Sequence, residues 1–165
     1  MPTAHVNIFL LALALVHGYV NEFDRPFSFK CGENKIISHL SSVHDNRFED
    51  RVFDIFCRSV SFTRDCAQSD YVNDFRKPIN FVCPSKKFLT GIESYHKNEF
   101  EDRRFRFTCC TASESPGGCN TTSYLNEYDS EMTFSLPQGQ GIRGLRSSFN
   151  RYYHDRRWRL TLCKL

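Results

Sequence analysis

The residues best suited to chemistry in this sequence are eight cysteines, six histidines and three Asp-Arg pairs that each follow a glutamate or a histidine. The pairs occupy positions 50–51, 102–103 and 155–156. A neighbouring pair such as His154-Asp155 would suit general acid–base catalysis. A catalytic centre, however, is rarely copied three times along one chain. The sequence therefore predicts no catalytic residues, and it predicts bidentate Asp–Arg pairing at three strand starts.

The cysteines predict a disulfide framework. Their number is even, and in an exported chain an even number of cysteines is typical of disulfide bonding. No Cys-x-x-Cys pair is present, and the acidic clusters lack the spacing of a calcium loop, so we predict no metal site and no cofactor. The eight positions are Cys31, Cys57, Cys66, Cys83, Cys109, Cys110, Cys119 and Cys163.

These residues follow an internal repeat of about 52 residues. The units cover residues 19–70, 71–123 and 124–165, and they open with YVNEFDRP, YVNDFRKP and YLNEYDSE. Aromatic-rich segments of alternating polarity, separated by turns such as PQGQG, predict three or four short strands in each unit. The sequence thus predicts a compact all-β domain with pseudo-threefold symmetry, held by disulfides. A β-trefoil and a β-prism both satisfy this pattern, and the sequence does not choose between them.

The repeat constrains the disulfide pairing. Cys31 and Cys57 occupy the same places in unit one as positions 83 and 109 occupy in unit two. Unit three has Leu136 where the other units have the opening cysteine, so its last cysteine needs a different partner. We expect Cys31–Cys57 and Cys119–Cys163. The other four pair either as 83–109 with 66–110, or as 83–110 with 66–109.

The first 18 residues differ from the rest of the chain. Positions 8–16 read IFLLALALV, a run of nine apolar residues that is too short to cross a bilayer and typical of a secretory signal peptide. We predict cleavage after Gly18, a secreted chain without membrane insertion, and N-glycosylation at the sequon that begins at Asn120.

Charge is distributed unevenly along the chain. The net charge of +3 is too small to predict nucleic-acid binding. The three units carry −2, +2 and +3 in chain order, and unit three is rich in arginine. Arginine suits planar recognition of sulfate or carboxylate, and residues two apart on a strand share a face. The sequence predicts a polyanion-binding surface formed by Arg151, Arg156, Arg157 and Arg159.

Three motifs together resemble the dermatopontin family. They are the YVNxFxxP opening, the SYHxN segment and the EDRRFxFxCC ending. The resemblance covers the chain from Tyr19 to Leu165, and an Asp-Arg-x-aromatic sequence ends each unit. Phenylalanine replaces the family's typical tryptophan in two of these endings, and the tyrosine-rich acidic extension of the vertebrate members is missing. The chain therefore looks like an invertebrate member.

The resemblance implies a secreted, non-enzymatic protein of the extracellular matrix. Such a protein would bind collagen, proteoglycan or glycosaminoglycan chains, or cell-surface glycans, and would support cell adhesion and matrix organisation. The family also includes invertebrate haemagglutinins and amebocyte-aggregation proteins. The alternative is therefore a carbohydrate-binding haemagglutinin or cell-aggregation factor in innate defence.

Overall fold

A computed structural model describes residues 18–165, and the predicted signal peptide of residues 1–18 lies outside this range except for Gly18. The described residues form eleven strands and no helix, which confirms the all-β class. This part of the chain therefore has no helix long and apolar enough to cross a membrane. The strands are β1 Phe27–Lys30, β2 Lys35–Asp45, β3 Asp50–Ser59, β4 Arg64–Gln68, β5 Ile79–Val82, β6 Lys87–Lys97, β7 Asp102–Thr111, β8 Cys119–Thr121, β9 Met132–Ser135, β10 Gln140–Asn150 and β11 Asp155–Lys164.

Each unit is built on one long antiparallel hairpin. The hairpins are β2–β3, β6–β7 and β10–β11, and each has a single register shift at the same place. The residue before each Asp-Arg pair closes the hairpin turn in a left-handed conformation, with φ of 46°, 46° and 45° for Glu49, Glu101 and His154. The turn therefore places the three Asp-Arg pairs at equivalent strand starts.

The short opening strand of each unit pairs with the hairpin of another unit. Strand β1 of unit one pairs with β6 of unit two, β5 of unit two with β10 of unit three, and β9 of unit three with β2 of unit one. The three sheets have the orders β1-β6-β7-β4, β5-β10-β11-β8 and β3-β2-β9. We call these contacts the first, second and third seam. The β-trefoil and the β-prism both stay predictions.

The four disulfides are of two kinds. Cys31–Cys57 and Cys83–Cys109 tie the end of an exchanged strand back to the hairpin of its own unit. The bonds 66–110 and 119–163 attach β4 to β7 and β8 to β11. Of the alternatives left open, the structure contains 83–109 with 66–110. Neighbouring strand residues point to opposite faces, so positions 109 and 110 reach different partners.

An aromatic residue from each hairpin lies at the centre of the core. Phe53, Phe105 and Trp158 are buried, as the repeat predicts. Phe105 meets both of the others edge to face, with ring centroids 6.2 Å from Phe53 and 5.1 Å from Trp158. Edge-to-face packing is favourable for aromatic quadrupoles, so this contact joins all three hairpins.

A buried asparagine explains the Tyr-x-Asn opening of each unit. The side-chain amides of Asn21, Asn73 and Asn126 donate to the carbonyl oxygens of the three paired arginines, at 3.1, 3.0 and 2.9 Å. Their oxygens accept the backbone N–H of the central aromatic residue, at 2.9, 2.9 and 3.1 Å. The opening segment is thereby fixed to the start of its own hairpin.

The Asp–Arg pairs form between units, one across each seam. Arg103 donates Nε and Nη2 to Asp50, both at 2.6 Å, across the first seam. Arg156 binds Asp102 at 2.7 Å through both nitrogens across the second seam. Arg51 binds Asp155 at 2.6 and 2.7 Å across the third. No side chain of the six is more than 5% exposed.

Further hydrogen bonds stabilise these buried charges, although Nη1 of each arginine has no hydrogen-bond partner among the described residues. Each carboxylate also accepts a backbone N–H, from Asp24, Arg76 or Asp129, at 2.8, 2.6 and 2.9 Å. Each guanidinium donates through Nη2 to a backbone carbonyl of the neighbouring unit, at 2.9 to 3.0 Å. A buried ion pair is tolerated only when such partners offset the loss of hydration.

Two adjacent arginines allow this buried pairing to be tested. Arg156→Met leaves Asp102 buried without its counter-ion, and we expect it to lower the free energy of unfolding by about 3–5 kcal/mol. Arg157→Met removes a partly exposed pair with Glu127 and cation–π contacts with two tyrosines, and we expect a smaller loss of about 1–2 kcal/mol. Urea unfolding with intact disulfides measures both values, and equal losses would contradict the structural role of the seam pairs.

Candidate functional site

The four arginines predicted to bind polyanions do not share one surface. Arg156 is 4% exposed and committed to its seam carboxylate, so its inclusion among the surface residues is corrected. Arg157 and Arg159 lie half-buried on the outward face of β11, and Arg151 is exposed in the β10–β11 turn. Alternation along the strand explains the correction, because Arg156 faces away from its two neighbours in the motif.

Tyr124 orders the two outward arginines of β11. The guanidinium carbon of Arg157 lies 3.8 Å from the centroid of this ring, and that of Arg159 lies 4.7 Å from it. Arg157 also lies 5.5 Å from the centroid of Tyr128. Cation–π contacts of this kind hold the planar guanidinium groups in place while leaving their charge intact.

A third arginine lies opposite this pair on the neighbouring strand. Arg146 of β10 is exposed and directly opposite Arg159 in the β10–β11 register. Within residues 18–165 neither of these two forms an ion pair, whereas Arg157 has the mostly exposed Glu127 at 3.2 Å. Like charges directly opposite on two strands repel each other, so an anion bound here would relieve the repulsion. Sequence reasoning missed Arg146 as a site residue because only the strand register places it beside Arg159.

Tyrosines extend this surface towards the hairpin turn. Tyr128 and Tyr153 are stacked with centroids 5.0 Å apart, and Tyr152, which is 84% exposed, meets Tyr153 edge to face. Exposed aromatic rings beside guanidinium groups can contact apolar surfaces and anionic groups of one ligand. We call this surface the unit-three face, and it consists of Tyr124, Tyr128, Arg146, Tyr152, Tyr153, Arg157 and Arg159.

Unit two contains a neutralised version of the same arrangement. Arg104 and Arg106 lie 5.0 and 5.2 Å from the centroid of Tyr71. However, Glu93 pairs with Arg106 at 2.5 Å from the strand position that Arg146 occupies in unit three. Unit one has Val52 and Asp54 at the equivalent positions of its strand, so it lacks the arginine pair. The uncompensated cationic surface therefore belongs to unit three.

The hairpin turns carry a second electrostatic feature. Glu49, Glu101 and His154 line a narrow pocket above the buried Asp–Arg pairs. Burial raises the pKa of the Glu101 carboxyl; the nearby carboxylates of Asp24 and Glu49 also raise it, and His96 and His154 act in the opposite direction. Ionised Glu101 is therefore less favourable in the folded protein than in water.

Asn120, the predicted glycosylation position, is exposed on β8. It lies opposite Leu162 of β11, so its side chain is accessible at the edge of the unit-three sheet. Glycosylation of this residue stays a prediction.

The fold and this face define a disulfide-stapled β-protein with a surface suited to ligand binding. The chain belongs to the dermatopontin family, whose pattern it matches over residues 15–165, and this confirms the resemblance. The match points to a family of extracellular matrix proteins and to no enzyme family.

Several curated proteins are similar to the chain. It is 42% identical to the dermatopontin of Biomphalaria glabrata, over 88% of this chain and 99% of that protein. It is 37% identical to Millepora cytotoxin-1 of Millepora dichotoma, over 92% of this chain and 68% of that protein. It is 32% identical to the hemagglutinin/amebocyte aggregation factor of Limulus polyphemus, over 98% and 96% respectively. No solved structure matches the chain.

The raised pKa of Glu101 predicts a pH-dependent stability change. An acid whose folded pKa lies above its unfolded value destabilises the fold when ionised, and this cost disappears below the unfolded pKa. We therefore expect Glu101→Gln to raise the free energy of unfolding at pH 7 and to have little effect near pH 3. Urea unfolding at the two pH values measures the difference. A Gln variant that is less stable than the parent protein at pH 7 would contradict the assignment.

Proposed function

We propose that this protein is a secreted, non-enzymatic protein of the extracellular matrix that supports cell adhesion and matrix organisation. Its unit-three face binds the sulfated glycosaminoglycan chains of proteoglycans, and collagen or cell-surface partners join the same assembly. The observation that carries this proposal is the Arg146–Arg159 pair, which lies across β10 and β11 without a described acidic partner.

The chemistry of the face fits a sulfated polysaccharide. Directly opposite strand residues lie about 5 Å apart, so two guanidinium groups can contact neighbouring anionic groups on one chain. Arg157 adds a third cation, and Tyr124 holds it together with Arg159. The exposed ring of Tyr152 adds an apolar surface for a sugar ring.

Family membership and the disulfides support the extracellular setting. All eight cysteines of the chain are in disulfide bonds, which persist in oxidising compartments. The relative from Biomphalaria glabrata is named dermatopontin, and the match covers almost all of that protein's length.

A second candidate function is that of a carbohydrate-binding haemagglutinin or cell-aggregation factor in innate defence. The observation that favours it is a stacked aromatic pair at the same place in each unit, with centroids 4.7, 4.6 and 5.0 Å apart. Three equivalent weak sites would crosslink cells through avidity. The relative from Limulus polyphemus carries the name of such a factor. The pairs are Phe23–Phe48, Phe75–Phe100 and Tyr128–Tyr153.

Heparin affinity tests the leading proposal. We expect the triple variant Arg146→Ser, Arg157→Ser and Arg159→Ser to elute from immobilised heparin at clearly lower salt. The slope of log affinity against log salt should fall by about 2–3, because each lost cationic contact removes about one unit.

The matched control is the unit-two variant Arg104→Ser with Arg106→Ser. These arginines stack on Tyr71 in the same way, but Glu93 pairs with Arg106 from the position that Arg146 occupies in unit three, so their loss should shift elution much less than that of the triple variant. Equal shifts for the two variants, or no shift for the triple variant, would contradict the unit-three site. Erythrocyte agglutination that is inhibited by neutral sugars and retained by the triple variant would favour the second function.

A further inference from the structure

The first seam brings a buried histidine against oxygen ligands from two units. The side chain of His96 on β6 is 0% exposed, and its Nδ1 lies 3.2 Å from Asp24 Oδ1 of unit one. The same nitrogen lies 3.3 Å from Asn98 Oδ1. One atom each of Asp24, His96 and the seam carboxylate Asp50 lie within 4.8 Å of one another.

The third seam repeats this arrangement with different residues. The side chain of His44 on β2 is 1% exposed, and its Nδ1 lies 3.6 Å from Asp129 Oδ1 of unit three. Asn46 Oδ1 lies 3.0 Å from the same nitrogen, and the seam carboxylate Asp155 completes the group. The absence of a metal motif in the sequence predicted no metal site; the histidine and the aspartate of each cluster belong to different units, so no local motif contains both.

Both clusters contain more acceptor atoms than hydrogen donors. A neutral imidazole carries one N–H, which cannot serve both oxygens that approach Nδ1. In the described part of the chain, the buried Oδ1 of Asp24 and the Nε2 atoms of His44 and His96 have no hydrogen-bond partner. Unsatisfied buried polar atoms are costly, and a cation between the converging oxygens would give Asp24 Oδ1 a partner.

The second imidazole nitrogen faces a carboxylate in both clusters. His96 Nε2 lies 4.0 Å from Glu101 Oε2, and His44 Nε2 lies 3.9 Å from Glu49 Oε2. A histidine that binds a metal through one nitrogen carries its proton on the other and typically directs it to a carboxylate. These distances are longer than a hydrogen bond, but they place a carboxylate on the Nε2 side of each ring and leave Nδ1 for the metal.

The second seam provides a control within the chain. Register places Phe149 where the other units have His44 and His96, and Arg76 and Arg151 stand where they have aspartate and asparagine. All three ligands are thus replaced together. The second seam nevertheless has the same framework as the other two, because it keeps the Asp102–Arg156 pair and the 2.6 Å hydrogen bond from the Arg76 N–H to Asp102. The cluster residues are therefore not required to hold a seam together.

We propose that the first and third seams each bind a divalent transition-metal ion of the zinc class. The ligands are His96, Asp24 and Asn98 in the first seam, and the equivalent histidine, aspartate and asparagine in the third. Ligand atoms 3.0 to 3.6 Å apart match a cation with bonds of about 2.0–2.2 Å. Imidazole nitrogen favours Zn²⁺ over Ca²⁺, which prefers six or more oxygens. Each ion joins two units independently of the glycosaminoglycan site.

Titration with zinc chloride tests the proposal on the chelator-treated full chain after secretion. Calorimetry should show two Zn²⁺ ions per chain. His96→Phe should remove one of them, and the double variant with His44→Phe should remove both; phenylalanine is the residue that the second seam already contains. His39→Phe is the control, since His39 bonds Ser135 away from the clusters, and it should keep both ions.

Conservative variants separate metal binding from folding. In the double variant Asp24→Asn with Asp129→Asn, asparagine tolerates the positive φ of both positions. We expect this variant to bind Zn²⁺ at least about tenfold more weakly, while the melting temperature of the metal-free protein changes little. Zn²⁺ should raise the melting temperature of the parent protein and not that of the double histidine variant. Absence of Zn²⁺ binding by the parent protein, or two ions still bound by the double histidine variant, would overturn the proposal. Binding of Ca²⁺ without Zn²⁺ would also overturn it.

Discussion

The buried Asp–Arg pair across each seam is the interaction on which the rest of the structure depends. Every unit gives its opening strand to another unit, so no hairpin carries its own first strand. The guanidinium of one unit must then bind the carboxylate and a backbone carbonyl of another. Because each of these charges is buried, the three seams must form together. An incomplete pair would leave an unpaired ion in the core.

The disulfides complement these pairs in a different way. Two of them return an exchanged strand to the hairpin of its own unit, while the Asp–Arg pairs bind the units to each other. The other two attach the last strand of units one and two to the hairpin of the following unit, as β4 to β7 and β8 to β11. Two covalent links therefore act within units, whereas the other two and the Asp–Arg pairs act between units. The aromatic contact of Phe53, Phe105 and Trp158 joins the three hairpins in the core.

The differences between the units underlie the separate roles proposed for them. Replacing the glutamate of unit two by Arg146 in unit three converts a neutral tyrosine–arginine stack into a cationic face. Conversely, the second seam has lost the histidine, aspartate and asparagine that the other two seams share. Both changes leave the Asp–Arg pairs untouched, so the common framework tolerates a binding surface on one unit and metal-type clusters on the other two seams.

The sequence by itself determined the all-β class, the three units, the aromatic core positions and the partners of Cys31 and Cys163. These follow from alternation and from a repeat, which are local or directly comparable along the chain. Tertiary structure decided which unit each opening strand joins, that Arg156 is buried, that Arg146 lies beside Arg159, and that His96 meets Asp24. These features depend on strand exchange and on register. Because the three units have similar sequences, the sequence indicates which kinds of strand pair but does not specify which unit supplies each partner.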